Sequence, residues 1–99
     1  MFLGLDLGTS GLKALLVDGD ENIIAEASAP LQVSRAHDGW SEQTADDWFT
    51  ACAAAVAGLG VDLSGVKGIG LSGHMHGATL MDANGAALRP CMLWNDTRA

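Results

Sequence analysis

The sequence predicts a mixed α/β fold, with three strands in a meander, one helix, and later strands that join a mixed sheet. Three observations predict it. Leu3, Leu5 and Leu7 alternate along one face of a short run, and a second apolar run follows at 12–17. Asp18-Gly19 is a hairpin signal. Trp48, Cys52, Val56 and Leu59 recur at helical spacing through an alanine-rich stretch.

Taken in order, residues 2–7 form the first strand, with Phe2, Gly4 and Asp6 on the face opposite the leucines. Gly8-Thr9-Ser10-Gly11 breaks it, 12–17 is the second strand, and 23–27 returns as the third. Residues 34–43 are polar and irregular. Thr44 with Asp47 resembles a capping box, and Asp46 and Asp47 suit the positive end of a helix dipole. That helix ends in the glycines at 58 and 60. Strands follow at 66–71 and 78–81, then an Asn84-Gly85 turn and an extended piece at 90–94 opened by Pro90. The order is β-β-β-α-β with further short strands, and one mixed sheet with a helix on one face is the simplest packing.

Composition narrows the function. Ninety-nine residues, 48% apolar and 17% charged, suit one small globular unit. A net charge of −7, with five scattered basic residues, argues against a nucleic-acid partner, which needs a basic stripe. Cys52 and Cys91 have no metal or redox spacing and read as free thiols in a reducing compartment. The apolar start is broken by Asp6 and Gly8, and the uncharged stretch at 50–61 is too short to span a bilayer. The expectation is a cytoplasmic protein without a membrane partner.

The strongest local signal is Asp6-Leu7-Gly8-Thr9-Ser10-Gly11-Leu12-Lys13. A carboxylate ends a strand, and a glycine-rich turn with two hydroxyls follows. Such a turn can aim N–H groups at a phosphate, with Lys13 adding charge and Asp6 placed to hold a magnesium ion. The same pattern also describes a plain hairpin turn with a solvated aspartate. It lacks Walker A spacing. Gly68-Ile69-Gly70-Leu71-Ser72-Gly73 matches GxGxxG, yet a β-like run rather than a helix follows, so its glycines read as close packing or ligand approach. His74 and His76 would share a strand face, but no third metal ligand is in view. They bind a small polar ligand or split into one exposed and one core histidine. Trp94-Asn95-Asp96-Thr97-Arg98 mixes a ring, an amide, a carboxylate and a guanidinium, a set that suits sugars and equally a polar surface turn.

The order of these segments resembles the FGGY family of carbohydrate kinases. The 6–13 segment is similar to its first phosphate motif, and Gly39-Trp40-Ser41-Glu42-Gln43 before a helix near Trp48 is similar to its next landmark. Met75-His76-Gly77 with Leu93-Trp94-Asn95-Asp96-Thr97-Arg98 is similar to the branch that phosphorylates D-xylulose. Thr44-Ala45 departs from the Asp-Pro that members often carry there, which touches the helix start and not the chemistry.

The resemblance implies the actin/sugar-kinase (ribonuclease H-like) ATPase fold and transfer of the γ-phosphoryl group of ATP to a sugar hydroxyl. It implies Asp6 as the catalytic, Mg2+-associated carboxylate and Gly8, Thr9, Ser10, Gly11 and Lys13 against the ATP phosphates. It implies Met75, His76, Asn95, Asp96 and Arg98 around the sugar. It also implies that residues 1–99 are the N-terminal portion of a first domain, with the catalytic base, the rest of that domain and a second domain lying elsewhere. The chain alone is then expected to be inactive and prone to self-association, dimers included. The alternatives are a family member acting on another ketose, a polyol or a sugar acid, a non-catalytic actin-like ATP-binding module, and a stand-alone structural domain.

Overall fold

A computed structural model describes residues 1–98. Its elements are β1 (Phe2–Leu7), β2 (Gly11–Val17), β3 (Ile23–Pro30), β4 (Glu42–Gln43), α1 (Ala45–Gly58), β5 (Gly68–Ser72) and β6 (Cys91–Met92). The main sheet has the order β3-β2-β1-β5, antiparallel except for the parallel β1–β5 pair. The predicted meander and mixed sheet are therefore present. The helix lies across β2 and β3.

Strand alternation decides what the helix covers. Leu12, Ala14 and Leu16 of β2 point to α1 and are buried, as is Ala29 of β3. From the helix side the fully buried residues are Ala51 and Ala55, while Trp48, Cys52 and Val56 flank them half-buried. Alanines on both surfaces let helix and sheet approach closely: a Cβ added at Gly58 would lie 3.1 Å from the Ala27 Cβ. The opposite sheet face carries Asp6, Lys13, Ser28 and Ser72 side by side, because Lys13 stands opposite both Asp6 and Ser28 and Asp6 stands opposite Ser72.

Several local expectations change. The 18–22 turn is not a two-residue Asp-Gly hairpin; the Asp18 side chain accepts from the Asp20 and Asn22 N–H groups, and Glu21, not Gly19, takes the positive φ of 66°. Thr44 sits at the helix N-cap without a side-chain capping bond, so no capping box forms. Residues 78–81 make isolated bridges to Met92 and Ala87 in place of a strand. The extended piece near Pro90 does not join the main sheet: Cys91 and Met92 pair with Gln43 and Glu42 in a separate two-stranded sheet.

The radius of gyration, 15.2 Å, exceeds the ~13 Å expected of a compact chain of this length, so apolar surface stays open. Leu71 and Phe49 are 80% and 76% exposed and line a groove with Leu5, Leu7, Trp48 and Cys52. β5 is also a sheet edge with unpaired backbone groups. The isolated chain is expected to self-associate at micromolar concentration. Sedimentation velocity checks it: Phe49→Lys with Leu71→Lys should shift the distribution to monomer, and a monodisperse wild-type monomer contradicts the expectation.

Candidate functional site

The open face of the sheet gathers the first cluster. Asp6 ends β1 exposed, and among the described residues no hydrogen bond or ion pair engages its carboxylate. Two shallow grooves meet at Asp6 and Lys13. One runs past Gly8, Ser10, Gly11 and Ser28, and the other past Gly4, Leu15, Gly70 and Ser72. The turn between β1 and β2 is closed by the Gly8 N–H donating to the Gly11 carbonyl (2.9 Å), and Ser10 accepts from the Leu31 N–H (3.0 Å). That leaves the N–H groups and hydroxyls of Thr9 and Ser10 without partners among the described residues. Ser10 shares a groove with the free Asp6 carboxylate, so unused donors and a carboxylate meet on one face that can take an anion and a hard cation together. Gly11 is required here because a Cβ would fall 2.8 Å from the Ala29 carbonyl oxygen. Lys13 turns from Asp6 to Glu26 (3.3 Å), and since both side chains are 55% exposed the pair is weak and readily exchanged for a phosphate.

The second cluster lies around the 74–77 turn. Met75 is 68% exposed and His76 takes a positive φ of 61°, so the two side chains point to solvent from a turn, not a strand. His74 faces inward, 2.9 Å from the Gln43 amide oxygen and tilted against the Trp48 ring. Burial pushes its pKa below the ordinary 6.5, which favours the neutral ring.

The terminal segment is more enclosed than its sequence suggests. Asp96 is 6% exposed, accepts from the Ser41 N–H (2.8 Å), and holds Arg98 with both carboxylate oxygens. Arg98 also pairs with Glu42 (2.9 Å) and stacks 3.6 Å above the Trp40 ring, while Arg89 takes the same Glu42 oxygen at 2.6 Å. Thr97 donates to the Gly39 carbonyl, and Gly39 occupies φ +80° against the Thr97 side chain, a place with no room for a Cβ. Together these contacts clasp 39–43 to 93–98. Asn95 keeps a buried amide oxygen with no partner among the described residues, and Trp94 is 61% exposed.

The Arg98 hydrogen bonds hold the Asp96 carboxyl well below the usual carboxylate range. A lowered folded-state pKa means the stabilisation is complete above the ordinary 3.8 and lost as pH falls below it. His74, also lowered, withdraws its contribution in a higher window, beginning as pH drops through 6.5. The urea midpoint should therefore fall in two stages on acidification. Asp96→Asn should lower the midpoint near neutrality and flatten only the stage below about pH 4; an unaltered lower stage would contradict the assignment.

The sequence singled out Asp6, the 8–11 turn and Lys13, and the fold brings these together. It places Met75 and His76 on one exposed turn and sets Asp96 and Arg98 in the clasp. Ser28 and Ser72 beside Asp6, and the buried Gln43, were not foreseen. For Ser28 the signal was the meander register, had β3 been carried through to Pro30.

With this geometry in place, comparison defines the class. Residues 1–99 match the model of the N-terminal domain of the FGGY family of carbohydrate kinases, and the chain belongs to that family. Its fold is that of the sugar kinases of the actin-like ATPase group. The chain is 47% identical to a xylulose kinase of Klebsiella pneumoniae over 99% of its own length and 21% of that protein's. The crystal structure of a xyloylose kinase from Brucella ovis superposes with a TM-score of 0.94 at 55% identity, over 98% of this chain and 21% of that one. The structure of xylulose kinase from Rhodospirillum rubrum gives 0.89 at 33%, again over 98% of this chain and 21% of the other. The chain thus spans about a fifth of the length of these relatives.

Proposed function

We propose that these residues are the N-terminal portion of the first domain of an ATP-dependent ketose kinase that converts D-xylulose to D-xylulose 5-phosphate. The observation that carries the reading is the glycine-rich turn with unused donors at Thr9 and Ser10, whose Ser10 shares a groove with the free carboxylate of Asp6. A purely structural domain has no need of it; an actin-like ATP-binding assembly module would share it, and what such a module has no reason to gather is the polar groups at 74–76 and 95–98. The printed identities of the relatives supply the sugar.

In this reading Thr9 and Ser10 donate to phosphate oxygens of ATP, Gly8 and Gly11 let the backbone approach, and Lys13 leaves Glu26 for a phosphate. Asp6 would hold Mg2+, which when bound neutralises charge on the phosphate oxygens. Met75 and His76 contact the sugar, and the open amide oxygen of Asn95 accepts from one of its hydroxyls. Asp96 and Arg98 border the same pocket and keep its wall in place through the clasp. A sugar hydroxyl oxygen bonds to the γ-phosphorus, the bond to the β-bridging oxygen breaks, ADP leaves, and the hydroxyl proton passes to a base outside these residues. Half a cradle works poorly, because groups that act as a unit lose far more than their separate shares. The 99 residues alone are expected to show no turnover and only weak ATP binding. A cytoplasmic location, where ATP and reduced thiols are available, belongs to the same reading.

The test is steady-state ATP consumption by a polypeptide of the relatives' length carrying these residues, offered D-xylulose, other ketoses, polyols and sugar acids. D-xylulose should give the highest kcat/KM. Preference for a polyol or sugar acid would keep the family and replace the substrate.

A further inference from the structure

Gln43 is 2% exposed, and its amide reaches three separate parts of the chain. Its Oε1 accepts from the Trp48 indole N–H (3.0 Å) on α1, its Nε2 donates to the Thr9 carbonyl (2.5 Å) in the phosphate turn, and Oε1 also meets His74 Nε2 (2.9 Å). These roles are fixed by chemistry. An indole N–H can only donate, so the amide oxygen must face Trp48 and the NH2 must face Thr9. His74 Nε2 must then carry the proton it gives to that same oxygen. The 43–91 pairing of β4 with β6 fixes the Gln43 backbone, and the 74–77 turn leans on β6: a Cβ at Gly77 would lie 3.1 Å from the Cys91 sulfur.

We infer that Gln43 is a positioning residue whose buried amide sets the spacing between the phosphate turn and the turn bearing Met75 and His76. The inference rests on the kinase reading above, because only there do the two turns hold the two reacting partners. A glutamine is required. A primary amide puts an acceptor oxygen and a donor NH2 on one short planar fork, and an ionised carboxylate here would set an acceptor against the Thr9 carbonyl while still serving Trp48 and His74. Methionine, of similar length, would leave the indole N–H, the imidazole N–H and the carbonyl unpartnered. The neutral ring favoured by burial of His74 agrees with a single Nε2 proton shared with Gln43.

Two measurements test it. On the 99-residue chain kept monomeric by Phe49→Lys with Leu71→Lys, long-range 1H–15N spectra should show His74 as the neutral Nε2–H tautomer. Gln43→Glu should move the amide resonances of Thr9 and Ser10 together with the His74 ring signals. An Nδ1–H tautomer, or changes confined to β4 and α1, overturns the link. In the relatives-length kinase, Gln43→Glu should lower kcat per folded molecule about 100-fold, as an ångström of misplacement does, with smaller changes in KM for ATP and sugar. A variant that loses thermal stability but keeps wild-type kcat per folded molecule overturns the positioning role. If the wild-type kinase turns over no sugar, the functional reading falls, and the spectra alone still decide whether the amide joins the two turns.

Discussion

Asp6→Asn in the relatives-length kinase is expected to lower kcat about 100- to 1000-fold, the range seen when one group that stabilises transition-state charge is removed. The fold should not notice the change. Asp6 is exposed at the end of β1 and its carboxylate has no partner among the described residues, so an amide of the same shape breaks nothing. Folded asparagine enzyme and wild type should share one melting temperature. Since the lost interaction grows as phosphoryl charge moves, kcat and kcat/KM should fall together, with KM for the sugar near its original value. Loss of activity with a matching loss of stability would give Asp6 a structural role instead.

Leu16→Ala is the second large effect, and it acts on folding. Leu16 lies next to the end of β2, wholly buried, within the cluster that joins Leu12 and Ala14 to Ala51 and Ala55 of α1. Half of the other buried residues in that cluster are alanines, which cannot lean in to fill the space, so the site collapses poorly. Truncation should cost about 2–5 kcal/mol, a large part of the 5–15 kcal/mol typical of a whole domain. With a urea slope of about 1.5 kcal/mol/M, the midpoint should move by roughly 1–3 M at unchanged slope. A smaller loss would mean that helix and sheet close over the cavity.

What was legible in the sequence was what short-range pattern encodes. The alternation of Leu3, Leu5 and Leu7 and the adjacent run gave the meander, and the 3.6-residue spacing gave α1. Asp6 followed by Gly8-Thr9-Ser10-Gly11 gave the first cluster because one hairpin carries all of it. What was hidden depends on distant partners. Ser41, Glu42 and Gln43 read as polar loop, yet they are buried: Asp96 and Arg89, 55 and 47 residues away, meet the Ser41 N–H and the Glu42 carboxylate, and Thr9, Trp48 and His74 meet the Gln43 amide. The small β4–β6 sheet was invisible for the same reason: two-residue strands have no period. The helix face was offset, since Trp48, Cys52 and Val56 mark its edge while its centre is alanine. Residues 78–81 had a strand's composition but only single bridges to pair with.

In the kinase reading, the β1–β2 turn holds nucleotide phosphate on the open face of the sheet. The most direct measurement is a crystal structure of the relatives-length kinase with ADP and Mg2+. Phosphate oxygens are expected within hydrogen-bond distance of the Thr9 and Ser10 N–H groups, with the metal on the Asp6 side of the turn. Phosphates bound elsewhere, with those N–H groups facing water, would contradict that reading.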